Sequence, residues 1–445
     1  MKKYDKYKNS GIEWIGDIPE HWEITKMKFL SNTIIDGTHF TPTYISKGIP
    51  FLRVTDLQNI EIDLSKTKYI SLEEHKSLTK RCKPEKGDVL LSKNGTIGIT
   101  KVVDWDYEFS VFVSICLIKL KPILTPSFFV YLFGSHVVDL QIKAKSKTTS
   151  VTNLHLDQIR ELISIVPPIE DQKRINNFLD EKTGEIDEAI ALKNQLIALL
   201  QEEKSALINE AVTKGIDPTV PMKESGIEWI GDIPAHWEIV NIQDVTKKNR
   251  YSFTGGPFGS DLKSEEYTKS GVRIIQLQNI GIGEFLDDYA IYTTEKKADE
   301  LYSCNIFPND IIIAKMADPV ARACMMPSND SRYLMASDGI RLEVNTNKYN
   351  SIFLVYAINS LYFNSQAEQV STGTTRLRIG LSTLKKLKLL SPNIDEQIQI
   401  AQYIDKKTQE IDQEIDYTKE EIALLKEYRQ SLISEAVTGK IDVRK

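Results

Sequence analysis

Little in this sequence is arranged for catalysis or for a membrane. Its four cysteines (Cys82, Cys116, Cys304 and Cys324) form no close pair. That excludes a Cys-rich zinc site and fits a reducing cytoplasm; singly, each reads as a small buried hydrophobe. The six histidines lack metal-ligand spacing, so no metal site is expected. The longest apolar runs, such as Phe128–Phe133 and Ile352–Ile358, are too short to cross a bilayer, and no membrane partner is expected. The first residues, MKKYDKYKNSG, are basic without an apolar core behind them, which argues against a signal peptide. There is no Gly-rich loop with Lys and Ser/Thr to cradle phosphate, no Asn-Pro-Pro-aromatic tetrapeptide and no Gly-rich cofactor loop of the methyltransferase kind. Asp310 with Lys315 has the acid and lysine of a nuclease, but the matching Asp88 and Lys93 have no further acidic partner. The chain is therefore expected to be no enzyme and to bind no cofactor.

An excess of positive charge is missing too. The net charge is −6, which by itself argues against a nucleic-acid partner. The distribution says more. Residues 169–217 hold 6 cations against 11 anions and residues 394–445 hold 8 against 12, whereas residues 20–165 hold 19 against 16 and residues 235–390 hold 18 against 17. The acid sits in two segments, and the stretches between are neutral to mildly basic. A polyanionic partner remains open if those stretches gather their cations on one face.

The two acidic segments are one sequence written twice. Gln172 matches Gln397, Asp187 matches Asp412 and Val212 matches Val437, each 225 positions apart. Apolar residues at Ile175, Leu179, Ile186, Ile190, Ile197, Leu200 and Leu207 recur at Ile400, Ile404, Ile411, Ile415, Ile422, Leu425 and Leu432. Steps of three, four and seven put them on one face of a helix, and Gly184 is the single Gly or Pro inside either copy. About 44 helical residues span roughly 65 Å, so each stripe needs a partner. The obvious partner is the other copy, in an antiparallel coiled coil that forms a rod. A second repeat precedes each domain: SGIEWIGDIP at Ser10–Pro19 and again at Ser225–Pro234, followed by His21-Trp22 and His236-Trp237. Ten identical residues in a row mark a tandem duplication. Antiparallel helices would bring the two termini together in a circular pseudo-twofold. The Gly, Pro and Trp content suggests turns pinned by aromatic burial; the functional alternative is Trp22 or Trp237 stacking on a base.

The expected fold class is α+β, with two domains of mixed strands and helices separated by two long helices. The boundaries read as repeat segments at 1–24 and 218–240, domains at 25–167 and 241–391, and spacer helices at 168–217 and 392–445. In the first domain Ile49–Thr55, Val89–Ser92 and Val111–Leu120 read as strands and Pro126–Val138 as helix. In the second, Val272–Leu277, Ile311–Lys315 and Gly339–Val344 read as strands and Ile352–Gln366 as helix. Words shared in one order, Leu57–Ile60 with Leu277–Ile280 and Gly87–Lys93 with Asn309–Lys315, indicate one fold, strongly diverged.

Binding signals lie in polar loops. Asp36–Pro42 groups Thr38, His39 and an aromatic. Lys93–Gly98 is a Gly-spaced turn carrying Lys93, Asn94 and Thr96; Asn pairs with the edge of adenine and Lys with guanine or phosphate. Lys143, Lys145, Lys147, Thr148, Thr149 and Ser150 form a cationic, hydroxyl-rich run before the first long helix. Its counterpart, Ser371–Arg378, carries Thr374, Thr375, Arg376 and Arg378. Both suit phosphate contacts, which fix register. Lys315 and Arg322 complete the candidates in the second domain, where Gly256–Ser260 is a further ordered turn. For each loop the plain alternative is a solvated turn.

These residues resemble a known family, the specificity subunit of type I restriction–modification enzymes, over the whole chain. The resemblance rests on the SGIEWIGDIP-x-His-Trp-Glu word, the Pro-x-Glu-x-Gln start of a long helix, the Asp36–His39 Asp-Gly-Thr-His loop and the Gly87–Leu90 strand. The second domain departs from the last pattern, with Asn309 in place of Gly. The resemblance implies that each domain is a target-recognition domain reading one half of a split double-stranded DNA sequence. It implies that the helices set the gap and dock two DNA-methylating subunits, to which restriction (translocase/nuclease) subunits join. It implies that the chain itself binds neither S-adenosylmethionine nor ATP. Two dissimilar readers imply an asymmetric target. The competing expectation is a non-catalytic scaffold, or a silent recombination donor with no active target.

Overall fold

The structure, a computed structural model, describes residues 2–58, 61–145, 153–227, 230–316, 318–373 and 377–444, with the backbone alone at 144 and 145. The chain divides into two compact units, Met1–Asn194 with Lys419–Lys445, and Gln195–Thr418. Each unit holds one mixed domain and parts of both long helices, Ile169–Lys214 and Ile394–Val437. No helix among the described residues is long and apolar enough to cross a membrane.

The long helices follow from their stripes. In the first unit Ile175, Leu179 and Ile186 pack in one core with Leu432, Ile433, Ala436 and Val437. Arg429 Nε lies 3.0 Å from Asp187 Oδ1 and Lys193 Nζ 2.7 Å from Glu421 Oε2, so the two helices run antiparallel there. In the second unit Ala211 and Val212 share a core with Ile400, Ala401 and Ile404, and Lys204 Nζ lies 2.6 Å from Asp412 Oδ1. The helices end at Gly215 (φ +78°) and Gly439 (φ +72°), the left-handed stop that glycine accepts without strain. In the first unit the chain ends meet: Tyr7 Oη donates to Gly439 O (3.0 Å), and Asp442 N–H donates to Lys2 O (2.8 Å).

The repeated His-Trp word is a lock on the helix start. Trp22 Nε1 donates to Asp171 Oδ2 at 3.1 Å and His21 Nε2 lies 2.8 Å from the same oxygen. Trp237 Nε1 donates to Glu396 Oε1 and His236 Nε2 meets Oε2, both at 2.9 Å. The acids sit in the first turns of the helices, where the helix dipole favours negative charge. Both tryptophans are 0% exposed, which rules out base stacking and leaves the structural role.

The two domains are one fold. Four-stranded sheets have the order Ser31–Asp36, Ile115–Leu120, Val89–Ser92, Thr100–Val102 in the first and Phe253–Gly255, Gly339–Leu342, Ile311–Ala314, Ala323–Met325 in the second. A second sheet in each places Ile49–Leu52 parallel to Ser110–Val111, and Val272–Ile275 parallel to Tyr333–Met335. The stretch expected as one strand from Val111 to Leu120 is thus two, because the chain crosses between sheets at 112–114. Both expected helices also break. Pro126–Phe133 is followed by His136–Lys145, and Ser351–Asn359 by Leu361–Gln369. At each break a serine hydroxyl bonds back to a carbonyl, Ser135 to Leu132 O and Ser360 to Ala357 O, both at 2.6 Å. The long helices cap the second short helix of each pair: Ser434 Oγ accepts from His136 N–H and Asn209 Oδ1 from Tyr362 N–H, both at 3.1 Å.

Candidate nucleic-acid interface

In each domain a buried central strand ends on a lysine. Val89–Ser92 leads to Lys93, whose N–H donates to Ser114 O (2.9 Å) and whose carbonyl accepts from Leu154 N–H (2.7 Å). Ile311–Ala314 leads to Lys315, whose N–H donates to Asp338 O (2.7 Å) and whose carbonyl accepts from Ile379 N–H (2.9 Å). The backbone frame is the same, and the side chains within it differ.

In the first domain Asp36 is the centre. It ends strand Ser31–Asp36, and its carboxylate takes Arg81 Nη2 at 2.7 Å and lies 3.2 Å from His39 Nε2 and 3.4 Å from Lys93 Nζ. Lys93 is buried in this pair rather than presented at the tip of its turn. Burial alone would raise the Asp36 carboxyl. The bonds from Arg81 and His39, with the charges of His39 and Lys93, outweigh it and hold the group below the ordinary carboxylate value. Thr38 is buried and bridged to Phe112, whereas His39 and Phe40 are exposed. Asn94 bridges to Asn153, and its buried Oδ1 has no partner among the described residues. Thr96 is exposed in a turn closed by Ser92 Oγ, which donates to Thr96 O (2.6 Å) and accepts from Ile99 N–H (2.8 Å).

The second domain moves the acid. Its Gly256 N–H donates to Gly339 O as Gly37 N–H does to Ile115 O, so Gly255 stands where Asp36 stood. Lys315 Nζ fills that space, 2.8 Å from where a Cβ on Gly255 would lie, and donates to Ser337 O at 2.9 Å. Burial lowers the Lys315 ammonium below its usual value. Asp338 supplies the carboxylate instead and accepts from Arg378 Nη2 at 2.8 Å. Arg322 turns inward, donating to Leu277 O (3.0 Å) and Asp318 O (3.4 Å). Phe258, in the Gly256–Ser260 turn, is 82% exposed.

The paired loops shift in register. Asn153 bridges to Asn94, and Arg378 to Met316, so the counterpart of Arg378 is Asn153 rather than Ser150. Lys143 lies in helix His136–Lys145 and pairs with Asp139 at 2.7 Å. Lys147, Thr148, Thr149, Ser150, Thr374, Thr375 and Arg376, and the Lys145 side chain, lie outside the described residues. Sequence reasoning missed Arg81, which is 45 positions from Asp36 and meets it only through the fold.

Asp36 yields a pH prediction. Its folded carboxyl titrates below the unfolded one, so the cluster adds stability at pH above about 4 and loses it as pH falls through the folded value. Asp36→Asn leaves the buried Lys93 ammonium without its counter-charge and should cost about 3 kcal/mol at pH 7. The penalty should shrink toward pH 3 in denaturant titrations; an equal penalty at both pH values would contradict the assignment.

The model of the type I restriction modification DNA specificity domain matches the chain twice, at residues 19–202 and 234–424. A Methanocaldococcus jannaschii chain named as the MjaX type I restriction enzyme specificity subunit is 25% identical, over 100% of this chain and 99% of its own. The StySPI specificity subunit of Salmonella potsdam is 20% identical over 96% of this chain and 90% of its own. Among solved structures, a chain from a structure on the assembly and conformational transition of the type I R-M system superposes with a TM-score of 0.70 at 17% identity, covering 95% of this chain and 99% of that one. The HsdS subunit of Thermoanaerobacter tengcongensis gives 0.53 at 16% identity, covering 95% and 98%. With two matches that together span most of the sequence, the chain belongs to the type I restriction modification DNA specificity family.

Proposed function

We propose that this chain is the DNA-recognition subunit of a type I restriction–modification complex. Its domains, 25–167 and 241–391, each read one half of a split, asymmetric double-stranded target. Its helical segments, 168–217 and 392–445, dock two DNA-methylating subunits, and restriction (translocase/nuclease) subunits join that core. The chain itself carries out no chemistry. The observation that carries this reading is one backbone frame used twice with different side chains: Lys93 held on Asp36 in one domain, Lys315 held on Ser337 O in the other. A shared frame with changed contents is what two readers of different sequences require. Partner docking is supported by large apolar side chains left exposed on the helices. In the first unit these are Leu192, Leu424 and Tyr428, and in the second Leu196, Leu199, Ile398, Tyr403 and Tyr417.

The test is to co-express the chain with its neighbouring methylating subunit and sequence methylated adenine on plasmid DNA. A split, asymmetric motif with a fixed gap is expected. Exchanging residues 241–391 for another reader should change one half only. No methylation above the subunit-alone control, from an assembled complex, would defeat the proposal.

A further inference from the structure

We propose that Arg53 and Gln276 occupy one equivalent base-reading position, with Arg53 selecting a G·C pair in the first half-site and Gln276 an A·T pair in the second. This rests on the recognition role argued above and adds which side chains read.

The equivalence comes from the backbone. Arg53 follows strand Ile49–Leu52 and Gln276 follows strand Val272–Ile275. The carbonyl ending each strand accepts from the parallel neighbour, Leu52 O from Phe112 N–H at 3.0 Å and Ile275 O from Ala336 N–H at 2.8 Å. Each residue then starts a single 3-10 turn closed in the same way. Asp56 Oδ2 accepts from Arg53 N–H at 2.7 Å, and Asn279 Oδ1 accepts from Gln276 N–H at 3.0 Å. The shared word Leu57–Ile60 and Leu277–Ile280 is therefore out of register by three: the counterpart of Asn279 is Asp56. Reading the sequence by that word hides the pairing of Arg53 with Gln276.

Position and chemistry then point to readout. Gln276 lines a cavity of about 370 Å³ with Phe258, Tyr267, Gln278, Ser337 and Asp338. Ser337 and Asp338 are the partners of Lys315 and Arg378, so the cavity belongs to the lysine end of the domain. Phe258 stands exposed on its lining, and in the first domain exposed His39 and Phe40 follow the equivalent Gly37. Gln278 Nε2 donates to Gln276 Oε1 at 3.2 Å, which orients the amide and leaves that oxygen a second lone pair. A glutamine amide matches the N6/N7 edge of adenine, and an arginine fork matches the O6/N7 edge of guanine. Arg53 Nε is oriented by Asp56 at 3.3 Å, so a different side chain of the same turn steadies each reader. Because each turn is closed through the backbone N–H, either side chain can be exchanged without opening it.

The experiment uses the full chain with its methylating subunit. The wild-type methylated motif is read first; its absence defeats the recognition role, not this assignment. Gln276→Arg should then change one A·T pair of the second half to G·C, with the first half and the gap unchanged. Arg53→Gln should do the converse. In binding titrations on duplexes with single base-pair changes, Gln276→Ala should lose about tenfold or more of discrimination at one pair only. Motifs unchanged in both exchanged variants, or affinity lost equally on every duplex, would overturn the assignment.

Discussion

Gly256→Ala is expected to remove recognition of one DNA half-site while the other domain stays intact. A Cβ at Gly256 would lie 1.8 Å from Ala336 O and 2.7 Å from its carbonyl carbon. Both atoms are backbone, fixed by the bonds of Ala336 N–H to Ile275 O and of Gly256 N–H to Gly339 O, each 2.8 Å long. Relief needs a shift of more than an ångström between the turn carrying Phe258 and the segment carrying Ser337 and Asp338. A core that must yield by that much costs about 3 kcal/mol, and the yielding parts are those proposed to meet DNA. Affinity for the cognate duplex should fall by about 100-fold. Gly37→Ala should act alike on the other half, since its Cβ would lie 2.0 Å from Val111 O. Gly184→Ala is the control: it sits exposed in a helix with nothing within 4 Å, and recognition should be untouched. Near wild-type affinity for Gly256→Ala, measured by titration of the assembled complex, would show that this turn lies outside the interface.

The helices were legible in the sequence because their code is local. A stripe at steps of three, four and seven needs no knowledge of the fold, and its duplication names the partner. The recognition ends were legible only as loops. Lys93 stood out by its residue type, yet its burial depends on Asp36, a residue of another strand. The same holds for Lys315, whose ammonium is accommodated by the absence of a side chain at Gly255. Such substitutions across a sheet leave no pattern along the chain. Short words mislead for the same reason: the turns after Leu52 and Ile275 are equivalent by hydrogen bonding, while the four-letter match beside them is three residues out. The His-Trp word was visible as a repeat, but its purpose appeared only when Asp171 and Glu396, about 150 residues further along, closed on it.

Beside those acids lies the second large effect. Gln172 and Gln397 are 0% exposed, and each amide serves three backbone groups. Gln172 Nε2 donates to Ile123 O and Pro167 O while Oε1 accepts from Thr125 N–H, all at 2.8 Å. Gln397 Nε2 donates to Pro392 O (2.8 Å) and Lys348 O (3.3 Å), and Oε1 accepts from Asn350 N–H (2.9 Å). In each unit the glutamine thus ties a long helix to the loop ahead of the first short helix of its domain. Truncation to alanine strands two carbonyls and one N–H in a buried site, at roughly 1–3 kcal/mol apiece before any relaxation. Allowing for partial repair by water, Gln172→Ala should cost about 4 kcal/mol, a large fraction of the 5–15 kcal/mol that holds a domain folded. Gln172→Glu should be no better, because a carboxylate offers the two carbonyls no donor. Because the chain divides into two compact units, the measurement is a probe confined to one of them. Denaturation followed in the first unit should shift sharply for Gln172→Ala, and in the second for Gln397→Ala. A loss under about 1 kcal/mol in both would mean that the glutamine is dispensable and that the shared core and the His-Trp lock hold helix to domain without it.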